Sequence, residues 1–142
     1  MERKSQRLLV LGALLFLVGL LQGAVVQLFH SPRLALSAHI AAVQNGMVLL
    51  ILGLLWSRLA LSEKLERAAF LSAVAGMFLI WIGFTLAAIT GASKLLKFAG
   101  AGYAASDAWE IVVDATIYAG SAASIAAASM VLLGLIRSRA RE

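Results

Sequence analysis

Four long apolar runs alternate with short polar stretches along the chain, roughly Leu8 to Phe29, Leu34 to Ala60, Ala68 to Thr90 and Ile111 to Ile136. Each reaches the ~20 residues that a helix rising ~1.5 Å per residue needs to cross ~30 Å of hydrocarbon. The runs are continuous rather than alternating with period two, and four spans are too few to close a barrel, which argues against strands. The pattern predicts an all-α integral membrane protein: one four-transmembrane-helix bundle over 1–142, with helices at about 8–29, 32–60, 65–90 and 107–136. Capping signals refine two of the starts. Ser31 stands as N-cap with the chain's one proline, Pro32, at the first helical position, and Asp107 followed by Glu110 reads as a capping box.

Composition agrees, since 62% of the residues are hydrophobic and 13% charged, too apolar for a soluble domain of this size. Arg3, Lys4 and Arg7 ahead of the first run give it the look of a signal peptide. It is too long for an h-region and no small-residue cleavage site follows, so it reads as a helix. Without cysteine there is no disulfide, thiolate metal site or cysteine nucleophile.

The net charge of +5 changes the picture once the charges are placed. Arg3, Lys4, Arg7, Arg58, Lys64, Arg67, Arg137, Arg139 and Arg141 share one side of the bundle, whereas Arg33, Lys94 and Lys97 share the other. That asymmetry predicts cytoplasmic termini, and the basic excess is a topology signal rather than a nucleic-acid surface. Lys4-x-x-Arg7 and Lys64-x-x-Arg67, with Leu52-Gly53-Leu54-x-x-Ser57-Arg58 and Leu133-Gly134-Leu135-x-x-Ser138-Arg139, suggest a duplication, for which chance likeness between apolar helices is an equal reading.

Ionisable or amide groups inside spans are costly and mark candidate sites. Helix two carries Ser37, His39, Gln44 and Asn45; helix three Trp81 and Thr85; helix four Glu110, Asp114, Tyr118, Ser121 and Ser124. His39, Asn45, Thr85, Asp114 and Tyr118 fall in the non-cytoplasmic half. His39 is the one histidine within a span, His30 lying in a loop; it is either a packing group bonded to a neighbouring helix, the commoner case, or a ligand. Asn45 is about 120° round the helix from His39 and ~9 Å along it. One ligand touching both is therefore broad, tilted, or lodged between subunits, and Asn45 is otherwise interhelical glue. Asp114, Tyr118 and Ser121 share a helix face as a proton path, a substrate-facing strip or, more commonly, a structural network. Trp81, Trp109 and Tyr103 read as interfacial aromatics, and the small residues from Gly120 to Ala128 favour close packing of helix four.

The segment Ser31-Pro32-Arg33-Leu34-x-Leu36-Ser37-x-His39-x5-Asn45-Gly46 resembles the helix-two signature of the small membrane isomerases and mutases, comprising styrene oxide isomerase and hydroxylaminobenzene mutase. The likeness extends over all four spans, from Arg7-Leu8-Leu9 through the mid-helix Trp81 to the ending from Gly134 to Arg137. It implies a homotrimer in a bacterial inner membrane that holds ferric haem b between protomers, with His39 as axial ligand to the iron. It further implies redox-neutral rearrangement of a small lipophilic aromatic substrate, epoxide to aldehyde or arylhydroxylamine to aminophenol, with the iron as Lewis acid and Asn45 orienting the substrate oxygen. Arg33 would pair with a haem propionate or act as a plain interfacial arginine. The isomerase branch also uses a helix-three tyrosine, where this chain has Phe84 in Trp81-Ile82-Gly83-Phe84-Thr85. Phe84 would then wall the substrate while Thr85 or Tyr118 supplies a hydroxyl, and the mutase branch stays open. The competing classes are an electron-transfer cytochrome, which commonly needs a second axial ligand, and a haem-free transporter or scaffold subunit.

Overall fold

Each apolar run forms one helix, and the flanking polar residues lengthen it. The computed structural model describes residues 2–139; Arg141, counted above with the basic side, lies outside them. The helices are α1 (Glu2–Ala24), α2 (Pro32–Leu55), α3 (Glu63–Thr90) and α4 (Asp107–Arg139), and all four are long and apolar enough to cross a membrane. No strand occurs among the described residues.

The helix bounds differ from expectation mostly in the first hairpin. α1 begins at Glu2 rather than near Leu8 because its polar first turns find partners: the Ser5 hydroxyl donates to the Gly53 carbonyl at 2.7 Å, and Lys4 pairs with Glu66 at 3.3 Å. It ends at Ala24 because the chain tightens into a 3-10 turn at Val26–Leu28. α2 stops at Leu55, short of the expected 60, in a second 3-10 turn at Trp56–Arg58. There the buried Trp56 indole donates to Glu66 Oε1 at 2.9 Å, which ties the α2–α3 turn to α3.

The α2 cap falls at Ser31 as expected and the α4 cap one residue ahead of the expected Asp107, and both are built differently. Pro32 occupies the first turn of α2, yet the Ser31 hydroxyl makes no capping bond; the Ser31 N–H donates instead to the Ala88 carbonyl at 3.0 Å. In α4 the Glu110 N–H bonds the Ser106 carbonyl, so Ser106 precedes the first turn and Asp107 lies within it. Glu110 does not close a capping box. Its carboxylate, in a residue 3% exposed, accepts from the backbone N–H groups of Ser93, Lys94 and Ala105 at 3.0–3.4 Å, and so organises the long α3–α4 loop. Asp107 accepts from Lys94 Nζ at 2.7 Å; that bond holds the Lys94 ammonium above its usual range, in an exposed pair that orders the loop rather than the core.

α1 packs on α2, α2 on α3 and α3 on α4, while α1 approaches α3 lightly. Glycine makes the hairpins close: a Cβ at Gly46 would lie 2.6 Å from the Phe16 nitrogen, and one at Gly76 would lie 2.7 Å from the Ser124 nitrogen. Toward the termini the core is Leu8, Leu15, Leu49, Trp56, Ala69 and Ala73; toward the loops it is Leu34, Ala35, Ala87, Ala88 and Val113. Large apolar residues such as Leu14, Ile51, Ile125 and Leu132 remain on the outside, as hydrocarbon surroundings allow. On α4, Gly120 and Ala127 face the bundle, whereas Ala122, Ala126 and Ala128 are exposed.

Candidate functional site

His39 sits two turns into α2, half-buried, on the side that faces α1. Its Nδ1 lies 2.7 Å from the Gly19 carbonyl oxygen. A carbonyl accepts and cannot donate, so Nδ1 carries the proton and Nε2 keeps a free lone pair. Nε2 makes no hydrogen bond among the described residues and is not sealed inside the bundle. The ring lies flush against α1 because position 23 is glycine: a Cβ there would come within 2.6 Å of Nδ1 and 2.7 Å of Cε1. Among the described residues no three His, Cys, Asp or Glu side chains gather, so each chain offers one imidazole donor rather than a multidentate metal cage.

Asn45 points elsewhere, as its 120° offset requires. Its Nδ2 donates to the Met77 carbonyl of α3 at 2.9 Å, which fixes the amide orientation and leaves Oδ1 without a hydrogen bond among the described residues. His39 thus addresses α1 and Asn45 addresses α3; one chain does not bring them together.

A second polar group bridges α1 and α3. Gln22, 6% exposed, accepts at Oε1 from the Trp81 indole at 2.8 Å and donates from Nε2 to the Thr85 hydroxyl at 3.2 Å. Beside it, Val18, Leu21, Val25, Phe29, Trp81 and Thr85 border an apolar cleft of about 460 Å³. Trp81 is therefore more than an interfacial ring: it is anchored at one end and packs edge-on to Phe78 at 6.3 Å. Sequence reading missed Gln22, although the signal was present, because a lone amide between Leu21 and Gly23 in an apolar run obeys the rule that selected Asn45.

The remaining candidates are dispersed. Phe84 is half-buried and follows Gly83, which packs on Ile117 of α4. Tyr118 is 61% exposed on the outside of α4, and Asp114 has one carboxylate oxygen, Oδ1, that is buried without a partner. No hydrogen bond joins Asp114, Tyr118 and Ser121 among the described residues, nor do they link α4 to α2. Arg33 bonds the Ala101 carbonyl from its exposed position near the loops. His30, expected in solvent, is exposed and packs edge-on to Tyr103 at 5.5 Å.

Residues 4–136 match the protein family described as styrene oxide isomerase. The chain is 36% identical over 139 residues to hydroxylaminobenzene mutase HabB of Ectopseudomonas oleovorans, covering 97% of this chain and 85% of that protein. It is 34% identical over 127 residues to hydroxylaminobenzene mutase HabA of the same organism, covering 89% and 94% respectively. No solved structure is significantly similar.

Proposed function

The chain belongs to the styrene oxide isomerase family and is an intramolecular isomerase or mutase; from that premise we propose that it rearranges a small arylhydroxylamine to an aminophenol, using ferric haem b held by His39. The transporter, scaffold and electron-transfer readings give way to the isomerase. The mutase branch is favoured by the names of the two relatives, by Phe84 in place of the isomerase tyrosine, and by the free Asn45 Oδ1, which suits a substrate bearing N–H and O–H donors.

One observation supports the cofactor reading: the Nδ1–H bond to Gly19, which leaves the Nε2 lone pair free for a ligand role. A metal-bound histidine commonly donates its other ring N–H to a backbone carbonyl, which sets the tautomer, holds the ring plane and raises the basicity of the ligating nitrogen. His39 meets that requirement without a water or a second side chain, and Gly23 supplies the space. Such a haem, when bound, offers an open coordination position that polarises an N–O or C–O bond without net electron transfer. The chain's own residues supply the rest. His39 fixes the cofactor, and the Arg33 guanidinium, with donors left over from Ala101, can pair with a propionate. Asn45 accepts from the substrate's N–H or O–H through Oδ1, and the apolar helices exclude water that would trap a cationic intermediate. In the overall change the N–O bond breaks, a ring C–O bond forms and the displaced ring proton ends on nitrogen, so substrate and product have the same composition. A homotrimer with the haem between copies completes the proposal, for which the unbonded Nε2, not sealed inside the bundle, leaves room.

The test is a product assay on detergent-purified protein without added reductant or oxidant. Hydroxylaminobenzene should give aminophenol in stoichiometric yield, faster than styrene oxide gives phenylacetaldehyde. Turnover of styrene oxide alone would assign the chain to the epoxide branch, and no turnover of either would overturn the aromatic-substrate reading.

A further inference from the structure

Where α1 and α3 begin, side by side but only lightly in touch, they leave a cavity of about 400 Å³ lined by Lys4, Arg7, Glu63, Arg67, Phe70 and Leu71. Its walls are held in place. The Ser5 hydroxyl ties the first turns of α1 to Gly53 of α2, and Lys4 Nζ lies 3.3 Å from Glu66 Oε1, which also accepts from the buried Trp56 indole at 2.9 Å. Lys4 and Glu66 thus form a fixed, charge-neutral part of the wall. Arg7 and Arg67 differ: both are exposed, and neither makes an ion pair among the described residues. Glu63 lies four residues before Arg67, a spacing at which opposite charges on one helix face commonly pair, yet it forms no ion pair among the described residues either. Two arginines against one carboxylate leave one positive charge uncompensated at the cavity.

Below the charges the walls turn apolar. Leu71, 55% exposed, is one turn or ~6 Å farther into the membrane span than Arg67, with Phe70 beside it. On α1, Val10, 57% exposed, and Leu14, 50% exposed, follow Arg7 at i+3 and i+7 and carry its face on into the hydrocarbon. A charged mouth at the membrane boundary therefore passes into an apolar track. A soluble anion would leave the track uncovered, and hydrocarbon alone would leave the arginines unmatched. A phospholipid meets both, because the guanidinium fork fits phosphate oxygens and an acyl chain fits the track. The charge count selects the headgroup: one phosphodiester balances the uncompensated charge, whereas a choline or ethanolamine ammonium would restore it. Headgroup hydroxyls would have an acceptor in Glu63.

We propose that this mouth between α1 and α3 binds one anionic, hydroxyl-bearing phospholipid of the adjoining leaflet, its phosphodiester between Arg7 and Arg67, its headgroup hydroxyls on Glu63 and an acyl chain over Phe70, Leu71 and Val10. The bound lipid joins two helices that otherwise touch lightly, and so stabilises the bundle at this end. The site is separate from the one that holds His39: Gly19, to which His39 bonds, is twelve residues and ~18 Å along α1 from Arg7. The inference therefore stands whether or not the rearrangement proposed above is the reaction.

The test is a lipid titration of the full chain, purified in detergent and stripped of lipid, read by native mass spectrometry and melting temperature. Phosphatidylglycerol should bind at one per chain and raise the melting temperature. It should bind about fivefold or more tighter than phosphatidylethanolamine or phosphatidylcholine of the same acyl chains, the worth of the one uncompensated charge. Arg7→Gln and Arg67→Gln should each weaken phosphatidylglycerol binding about fivefold, and together they should remove the preference. Both arginines are exposed, so the lipid-free variants should melt with wild type. Arg58→Gln and Arg137→Gln, which remove exposed arginines at the same end of the bundle but outside the cavity, should leave binding unchanged. Equal losses in all four variants would mean that the lipid responds to the diffuse charge of that surface, and equal affinity for the three lipids that it responds to the apolar track alone; either result overturns the site. Glycerol 3-phosphate, which carries the phosphate and hydroxyls without acyl chains, should not displace the lipid even in large excess. Displacement would make the occupant a soluble phosphate and overturn the lipid assignment.

Discussion

With His39 as the proposed haem ligand, Gly23→Val should strip the protein of haem and lower turnover by at least about 100-fold while the four helices stay assembled. The argument is steric. The first carbon of any side chain at position 23 would lie 2.6 Å from His39 Nδ1, 2.7 Å from Cε1 and 3.2 Å from Cγ, well inside contact distance. The imidazole must swing away, and in doing so it gives up the Gly19 carbonyl that fixes its tautomer. A ligand displaced by ~1 Å no longer aligns its lone pair with a metal, and supporting groups of this kind are worth ~10–100-fold in metal affinity. The fold suffers less, because overpacking at a half-buried position costs about 1–3 kcal/mol and α1 and α2 remain joined through Gly12, Gly19 and Gly46. The measurement is visible absorbance per chain together with turnover and melting temperature. Full pigment with full activity in the variant would mean that the His39 position seen here is not the functional one.

The largest stability loss is expected at Glu110. It is nearly fully buried, and its two oxygens take the N–H groups of Ser93, Lys94 and Ala105. Glu110→Leu leaves those three donors facing apolar surroundings, each a penalty of ~1–3 kcal/mol, so a loss on the order of 4 kcal/mol is expected. Glu110→Gln should lose about half as much, because the amide keeps one acceptor but turns its NH2 toward backbone donors. Amide exchange across residues 91–106 should accelerate in both variants before the rest of the protein melts. A Leu variant within ~1 kcal/mol of wild type would show that the loop is held by other contacts.

The number and type of helices were legible because membrane spans leave a length-and-hydropathy signal that needs no partner to be read. The positions of the α2 and α4 starts were legible from Pro32 and from the acidic pair, but the bonding was not. Whether Ser31 caps through its hydroxyl or lends its N–H to Ala88 depends on a helix more than fifty positions away. Glu110 looked like a local capping residue because a carboxylate after a helix start fits that motif. Its true partners come from a loop that reaches back over it, and no spacing rule encodes that contact. His39 and Asn45 were found by type, and their divergence followed from the helix period alone. What the period left open was the partner of each: Gly19 and Gly23 for the histidine, Met77 for the asparagine. Gln22 shows the opposite failure, a signal present in the sequence and passed over because its partners, Trp81 and Thr85, lie a whole hairpin away.

The central claim is that His39 presents Nε2 to a haem, and the visible spectrum of the purified protein tests it most directly, wild type beside His39→Ala. The account predicts a Soret band in wild type and none in the variant. The variant should still fold with a loss of about 1 kcal/mol for the Gly19 hydrogen bond, and exogenous imidazole should restore part of the band. A band of equal intensity in both proteins, or none in wild type even with haem supplied during expression, would contradict it.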